Sequence, residues 1–200
     1  MIKNIIFDFG DIFINLDKAA FFKAMFRLGC TTLTPELDVL SKNYEMGLIS
    51  SREFTLDIQK VFPKVTEKAI RSAWNSMILD FPEYRLEFIR QLKSENKYRL
   101  FLLSNTNALH IDHVIKTMGK GRYLKFKNCF EQFYLSHEIH LRKPNGDIYE
   151  FVLKENNLIA RETFFIDDTK ENTDTAESMG IRCWNLKVGK EDIVQLTNKL

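Results

Sequence analysis

Three stretches of the 200-residue chain run from apolar residues straight into polar ones: IIFDFG at 5 to 10, LLSNTN at 102 to 107, and FFIDD at 164 to 168 followed by EN at 171 and 172. A fourth stretch, RKP at 142 to 144, adds a cation. Together they offer three carboxylates (Asp8, Asp167, Asp168), a hydroxyl and two amides (Ser104, Asn105, Asn172), and Lys143. Acids gathered in one crevice repel each other and desolvate at a cost unless a cation sits among them. A hard divalent ion with oxygen ligands resolves that conflict. Mg²⁺ takes one or two carboxylates, keeps several waters and accepts phosphate oxygens, so the chemistry these residue types fit is phosphoryl transfer.

Such residues must be carried to one place by the elements around them. Short apolar runs bounded by turn residues lie at Ile2 to Phe9, Tyr98 to Leu103, Phe130 to Leu135, Thr163 to Ile166 and Ile181 to Leu186, and read as strands buried on both faces. Helix-period segments at Glu83 to Glu95, Ala108 to Met118, Asp147 to Asn156 and Asn172 to Met179, with a last one near Glu191 to Lys199, alternate with them. This pattern predicts right-handed βαβ units, hence a Rossmann-like α/β fold with a parallel sheet and helices on both faces. In such a sheet the site lies beyond the carboxyl ends of the strands, where Asp8, Ser104 and the Asp167-Asp168 pair fall.

Residues 17–80 break the alternation, with helical patterns and no convincing strand. Thr34-Pro35-Glu36 marks one helix start and Ser50 with Glu53 forms a capping box at another. The region reads as an inserted helical module between two parts of a core, 1–16 and 81–200.

Bulk properties narrow the classes. With 29 Lys+Arg against 27 Asp+Glu the net charge is only +2, which gives no footing for nucleic acid or an anionic membrane surface. Cys30, Cys129 and Cys183 fit neither a disulfide framework nor a zinc site. MIKNIIFDFG lacks a signal-peptide core, and roughly 18 consecutive apolar residues occur nowhere, so the reading is a cytoplasmic protein.

In their order and spacing these motifs make the chain resemble the haloacid dehalogenase-like hydrolase superfamily. It is similar in particular to the small phosphatases that include α-D-glucose-1-phosphate phosphatase and the phosphatase domain of soluble epoxide hydrolase. The resemblance implies a type 1 helical cap over residues 17–80 and a Mg²⁺-dependent phosphatase acting on a small phosphorylated metabolite. It also implies residue roles. Asp8 would be the nucleophile that forms an aspartyl-phosphate. Ser104 and Asn105 would hold the phosphoryl group, and Lys143 would neutralise charge beside it. Asp8, the carbonyl of Gly10, Asp168 and Asp167 would serve the metal, with Asn172 supporting their loop. YEMGLISS at 44 to 51 resembles the family's specificity loop, which makes Lys42, Tyr44 and Arg52 candidate substrate contacts.

One position departs from the family. Most of its phosphatases carry an acid two residues after the nucleophile, where this chain has Gly10 followed by Asp11. Positioned acid-base help is typically worth about 10²–10⁴-fold in rate. Either the substrate has an undemanding leaving group, or Asp11 or a cap residue substitutes. Two further readings fit the same residues: a dehalogenase that uses Asp8 on carbon, and a non-catalytic module that only binds phosphate and metal.

Plainer roles apply elsewhere. His110 with His113, and His137 with His140, share helical faces but lack a third ligand, and read as surface or loop histidines. The basic stretch Lys120 to Lys127 reads as a solvated connection with no nucleic-acid role.

Overall fold

The computed structural model describes residues 1–29 and 34–200; Cys30 lies outside the described residues. Strands Asn4–Phe7 (β1), Arg99–Ser104 (β2), Gln132–Leu135 (β3), Thr163–Asp167 (β4) and Arg182–Asn185 (β5) form one sheet in the order β3-β2-β1-β4-β5. All neighbours pair in parallel, with Phe7 level with Leu102 on one side and Ile166 on the other. The chain leaves β1 toward β2 and β3, then returns to its far side at β4. The switch in strand order therefore falls at β1, just where Asp8 emerges.

Both faces of the sheet are buried, because successive residues of a strand point to opposite sides. Ile5 and Phe7 join Leu100, Leu102, Phe164 and Ile166 in one apolar cluster. Helices Glu83–Ser94 (α1), Ala108–Met118 (α2) and Lys120–Lys127 (α3) contribute to it. On the other face Ile6, Phe101, Leu103 and Phe165 pack with helices Gly146–Glu155 (α4) and Lys170–Ser178 (α5). A short helix, Ser136–Ile139 (α6), follows β3.

Between β1 and α1 the described residues form four more helices, Lys18–Arg27 (α7), Pro35–Glu45 (α8), Ser51–Val61 (α9) and Glu67–Asn75 (α10). Thr34 and Ser50 cap α8 and α9 as their sequences predict, with Pro35 opening α8 and Glu53 completing the capping box. These helices share an apolar cluster of their own, which includes Tyr44, Phe54, Ile70 and Trp74 and takes in Leu109 of α2. The chain passes out at Leu16 and back at Ile78, paired in an antiparallel bridge.

Two expectations are corrected here. Lys120 to Lys127 is not a loose connection but a helix, because Tyr123 and Phe126 sit three residues apart and both bury, Phe126 completely. The last expected helix is a 3₁₀ turn at Ile193–Asn198, where buried Ile193 and Leu196 fall on the eclipsed i, i+3 positions of that tighter winding. No helix among the described residues is long and apolar enough to cross a membrane.

Candidate active site

The sheet carries Asp8, Ser104, Asp167 and Asp168 to its carboxyl end, and Lys143 reaches the same point from the segment before α4. Lys143 is 1% exposed, and its Nζ donates to Asp8 Oδ1 at 2.8 Å, Asp167 Oδ2 at 2.6 Å and the Leu103 carbonyl at 2.9 Å. Its backbone is held as firmly. The Asn105 carboxamide donates to the Lys143 carbonyl at 2.8 Å and accepts from the Lys143 N–H at 2.9 Å.

Asp167 is fully buried, and both of its oxygens are engaged. Oδ1 accepts from the Thr169 N–H and the Asn172 amide, while Oδ2 accepts from Lys143 and that same amide. Asp8 and Asp168 differ. Among the described residues nothing donates to Asp8 Oδ2 or to Asp168 Oδ1, so each keeps one open oxygen. Asp8, Asp167 and Asp168 offer ligand atoms within 4.8 Å of one another, a hard all-oxygen set that fits a divalent cation such as Mg²⁺. Within this group both oxygens of Asp167 are engaged, so it anchors Lys143 and the loop, whereas Asp8 and Asp168 each keep an open oxygen.

The electrostatics follow from two buried carboxylates sharing one ammonium. Burial pushes the Asp8 carboxyl up to about 7; Lys143 opposes the shift, and Asp167 and Asp168 add to it. Burial alone would discharge Lys143, but Asp167 and Asp8 outweigh that and hold it charged, above its ordinary range.

A cavity of about 590 Å³ opens over these groups, with Asp8, Gly10, Lys143 and Asp168 on the sheet side and Lys18 and Glu45 on the helical side. Behind Gly10 a narrower chamber of about 100 Å³ is walled by Phe9, Leu16, Met77, Ser104 and His110, and shares Gly10 and Glu45 with the larger one. The Ser104 hydroxyl makes no hydrogen bond among the described residues and is free for a ligand.

Several sequence-based candidates land elsewhere. A Cβ added to Gly10 would stand 2.9 Å from Leu16 Cδ1, so a side chain there requires the end of Leu16 to move. Asp11 does not line the cavity: its Oδ1 accepts from the Leu16 N–H at 3.1 Å and its Oδ2 pairs with Lys18 at 3.2 Å. Of the three candidate cap contacts only Lys42 lines the cavity. Tyr44 is buried, accepting from the Leu109 N–H and bonding Ser51, and Arg52 is exposed away from it. His110 is not a surface residue. It stacks on Trp74, bonds Asn107 and the Trp74 carbonyl, and burial lowers its pKa to about 4.

Residues that sequence reasoning missed include Lys18, Glu45 and Arg142. Arg142 pairs with Glu45 at 3.0 Å across 97 residues of sequence, and burial of the Glu45 carboxyl pushes its pKa upward against that pairing. Ser136 and His140 also hold this segment, donating to the Glu45 and Met46 carbonyls at 2.6 and 2.8 Å. The RKP and YEMG words contain two of these residues, but nothing in their local spacing shows that they meet.

A family model for haloacid dehalogenase-like hydrolases matches residues 2–180. The chain is 26% identical over 203 residues to D-ribitol-5-phosphate phosphatase of Bacteroides thetaiotaomicron, covering 98% of each chain. Its structure superposes on a HAD family enzyme from that organism with a TM-score of 0.88 at 36% identity, covering 98% of both chains. The same enzyme in complex with magnesium and inorganic phosphate matches at a TM-score of 0.84 and 35% identity, with 96% of this chain and 97% of that one covered.

Proposed function

We propose that this chain, which belongs to the haloacid dehalogenase-like hydrolases and is a phosphoric monoester hydrolase with Mg²⁺ as its cofactor, cleaves a small phosphorylated polyol or sugar in the cytoplasm. The observation that carries this reading is Lys143 bridging Asp8 and Asp167 while leaving Asp8 Oδ2 open toward the cavity. The Asp8 carboxylate attacks phosphorus. An aspartyl-phosphate O–P bond forms as the ester P–O bond breaks, and water then attacks the phosphorus to release phosphate and restore Asp8. Lys143 offsets negative charge beside the nucleophile, and the Ser104 hydroxyl holds a phosphoryl oxygen. Asp8, Asp168 and the Gly10 carbonyl would hold Mg²⁺, which when bound neutralises charge on the phosphoryl oxygens. Asp167, fixed by Asn172, keeps Lys143 in place. The helices of residues 17–80 form the cap that closes the cavity and excludes water.

The leaving alkoxide needs a proton, and Gly10 cannot give one. Asp11 is engaged outside the cavity, and the similar enzyme named for ribitol 5-phosphate handles an alkyl phosphate, a demanding leaving group. Glu45 of the cap, which lines both chambers and whose carboxyl burial pushes upward, takes the acid's place in this reading.

The test is phosphate release from a panel of polyol and sugar phosphates, with Mg²⁺ and with EDTA. Turnover that requires Mg²⁺ and vanishes in Asp8→Asn, while the variant still binds Mg²⁺, supports the reading. Residual turnover by Asp8→Asn overturns the covalent step. Glu45→Gln should slow alkyl phosphates about 10²-fold and leave p-nitrophenyl phosphate, whose leaving group needs no acid, nearly unchanged.

A further inference from the structure

Lys18 stands at the first position of α7, on the helical side of the cavity. Its Nζ lies 2.9 Å from Asp168 Oδ2 and 3.2 Å from Asp11 Oδ2. Both partners are sheltered, at 11% and 9% side-chain exposure, whereas the lysine itself is 54% exposed. A cation at a helix N-terminus opposes the helix dipole, and it is the Asp17 N-cap carboxylate, accepting from the Ala20 N–H at 2.9 Å, that stabilises this end of α7. Helix stability therefore does not explain this lysine. The carboxylates it reaches do.

The cavity lining is charged on both sides, with Asp8, Glu45, Asp168 and Glu171 against Lys18, Lys42, Arg142 and Lys143, and of these cations Lys143 and Lys18 reach the carboxylates at the strand ends. Lys143 is locked on the far side by three acceptors. Lys18 contacts the carboxylate whose other oxygen is open, and it does so from the half-exposed end of a flexible side chain.

We propose that Lys18 is a positioning residue that acts as a built-in counter-ion of the metal loop. It keeps Asp168 and Asp11 together before the ion arrives, and it competes electrostatically with that ion, so that Mg²⁺ binds more weakly and exchanges more readily than an Asp168 without this lysine would allow. Because Lys18 belongs to α7, the same contact ties the helical layer to the loop after β4. This inference rests on the Mg²⁺ site of the proposed function and goes beyond it.

Isothermal calorimetry of Mg²⁺ binding to the full chain, at fixed ionic strength, tests it. Removing one positive charge from beside a divalent ion in a solvent-facing, salt-screened site corresponds to roughly tenfold in affinity. Lys18→Met should therefore bind Mg²⁺ about tenfold more tightly than wild type, and Lys18→Arg should stay within about threefold. In EDTA, Lys18→Met should melt below wild type, and saturating Mg²⁺ should close that gap. A Lys18→Met protein that is folded by circular dichroism and binds Mg²⁺ as wild type does, or more weakly, overturns the proposal, whatever its melting temperature. If Lys18→Met does not fold, Lys18→Gln takes its place in the same titration, with the same tenfold gain expected and the same lack of gain overturning the proposal. Wild-type protein that binds no Mg²⁺ and turns over no phosphate ester would instead sink the function on which the inference stands.

Discussion

Lys143→Met removes an ammonium while leaving a side chain of similar length, and its cost can be worked from the contacts. Asp8 and Asp167 lose donors at 2.8 and 2.6 Å in a site where Asp167 is completely buried. Stripping one partner from a buried ion pair costs about 3–5 kcal/mol, because the charge left behind is uncompensated. Asp167 keeps the Thr169 N–H and the Asn172 amide, so the uncompensated charge falls mainly on Asp8, which escapes by taking a proton. The sign follows from burial having already raised Asp8 to about 7 from its ordinary 3.8. The folded state binds a proton that the unfolded chain has lost, so the contribution of Asp8 to the stability of the metal-free protein falls as pH rises toward 7 and then levels off. Without Lys143 the carboxyl titrates higher still. The variant should keep losing about 1.4 kcal/mol per pH unit above 7, where wild type is flat. Urea unfolding in EDTA at pH 6, 7 and 8, followed by the fluorescence of Trp74 and Trp184, measures this. At pH 8 the deficit should reach about 4 kcal/mol, or roughly 10 °C in melting temperature. Adding Asp167→Asn should restore part of it. A deficit below about 1 kcal/mol, or one that is equal at pH 6 and pH 8, would refute the view of Lys143 as the counter-charge of two buried carboxylates.

Three further outcomes are expected. His110 is held neutral by burial, at about 4 against 6.5 when unfolded, so stability is lost as pH falls through that window. The contribution of His110 should fall by about 2 kcal/mol between pH 7 and pH 5, read by urea unfolding as the difference between wild type and His110→Gln at each pH; a difference that does not change with pH would refute it. Gly10→Asp must displace the Leu16 side chain, whose Cδ1 lies 2.9 Å from the new Cβ. Because that methyl ends a flexible, partly exposed side chain, the variant should cost less than about 1 kcal/mol, and it should speed alkyl phosphates more than p-nitrophenyl phosphate in steady-state kinetics. Gly47 has φ +65°, and a Cβ there would meet the His137 carbonyl oxygen at 2.1 Å. Gly47→Ala should therefore lose more than about 3 kcal/mol, visible as a collapse in melting temperature and soluble yield.

How much of this was legible beforehand depends on distance along the chain. Asp8, Ser104 and the Asp167-Asp168 pair each end an apolar strand, and a strand buried on both faces announces itself locally, so the sheet and its polar rim could be read directly. The helix starts at Thr34 and Ser50 were equally local, since a cap involves only three or four neighbouring residues. The basic segment of α3 was misread because its two buried aromatics are few beside its lysines, and His110 because its burial comes from Trp74, 36 residues away.

The sequence alone thus determined the α/β class, the strand ends and the residue types that gather there, because hydrophobic period and strand termini are properties of short segments. Only the tertiary structure decided which oxygens are open. Asp167 is engaged by Lys143 and Asn172, Asp11 by Leu16 and Lys18, and Glu45 meets Arg142 across 97 residues. Those pairings depend on the parallel register of the sheet and on how the helices of residues 17–80 dock onto it. Contacts between elements so far apart leave no period or spacing in the chain, and they exist only once the packing that creates them is complete.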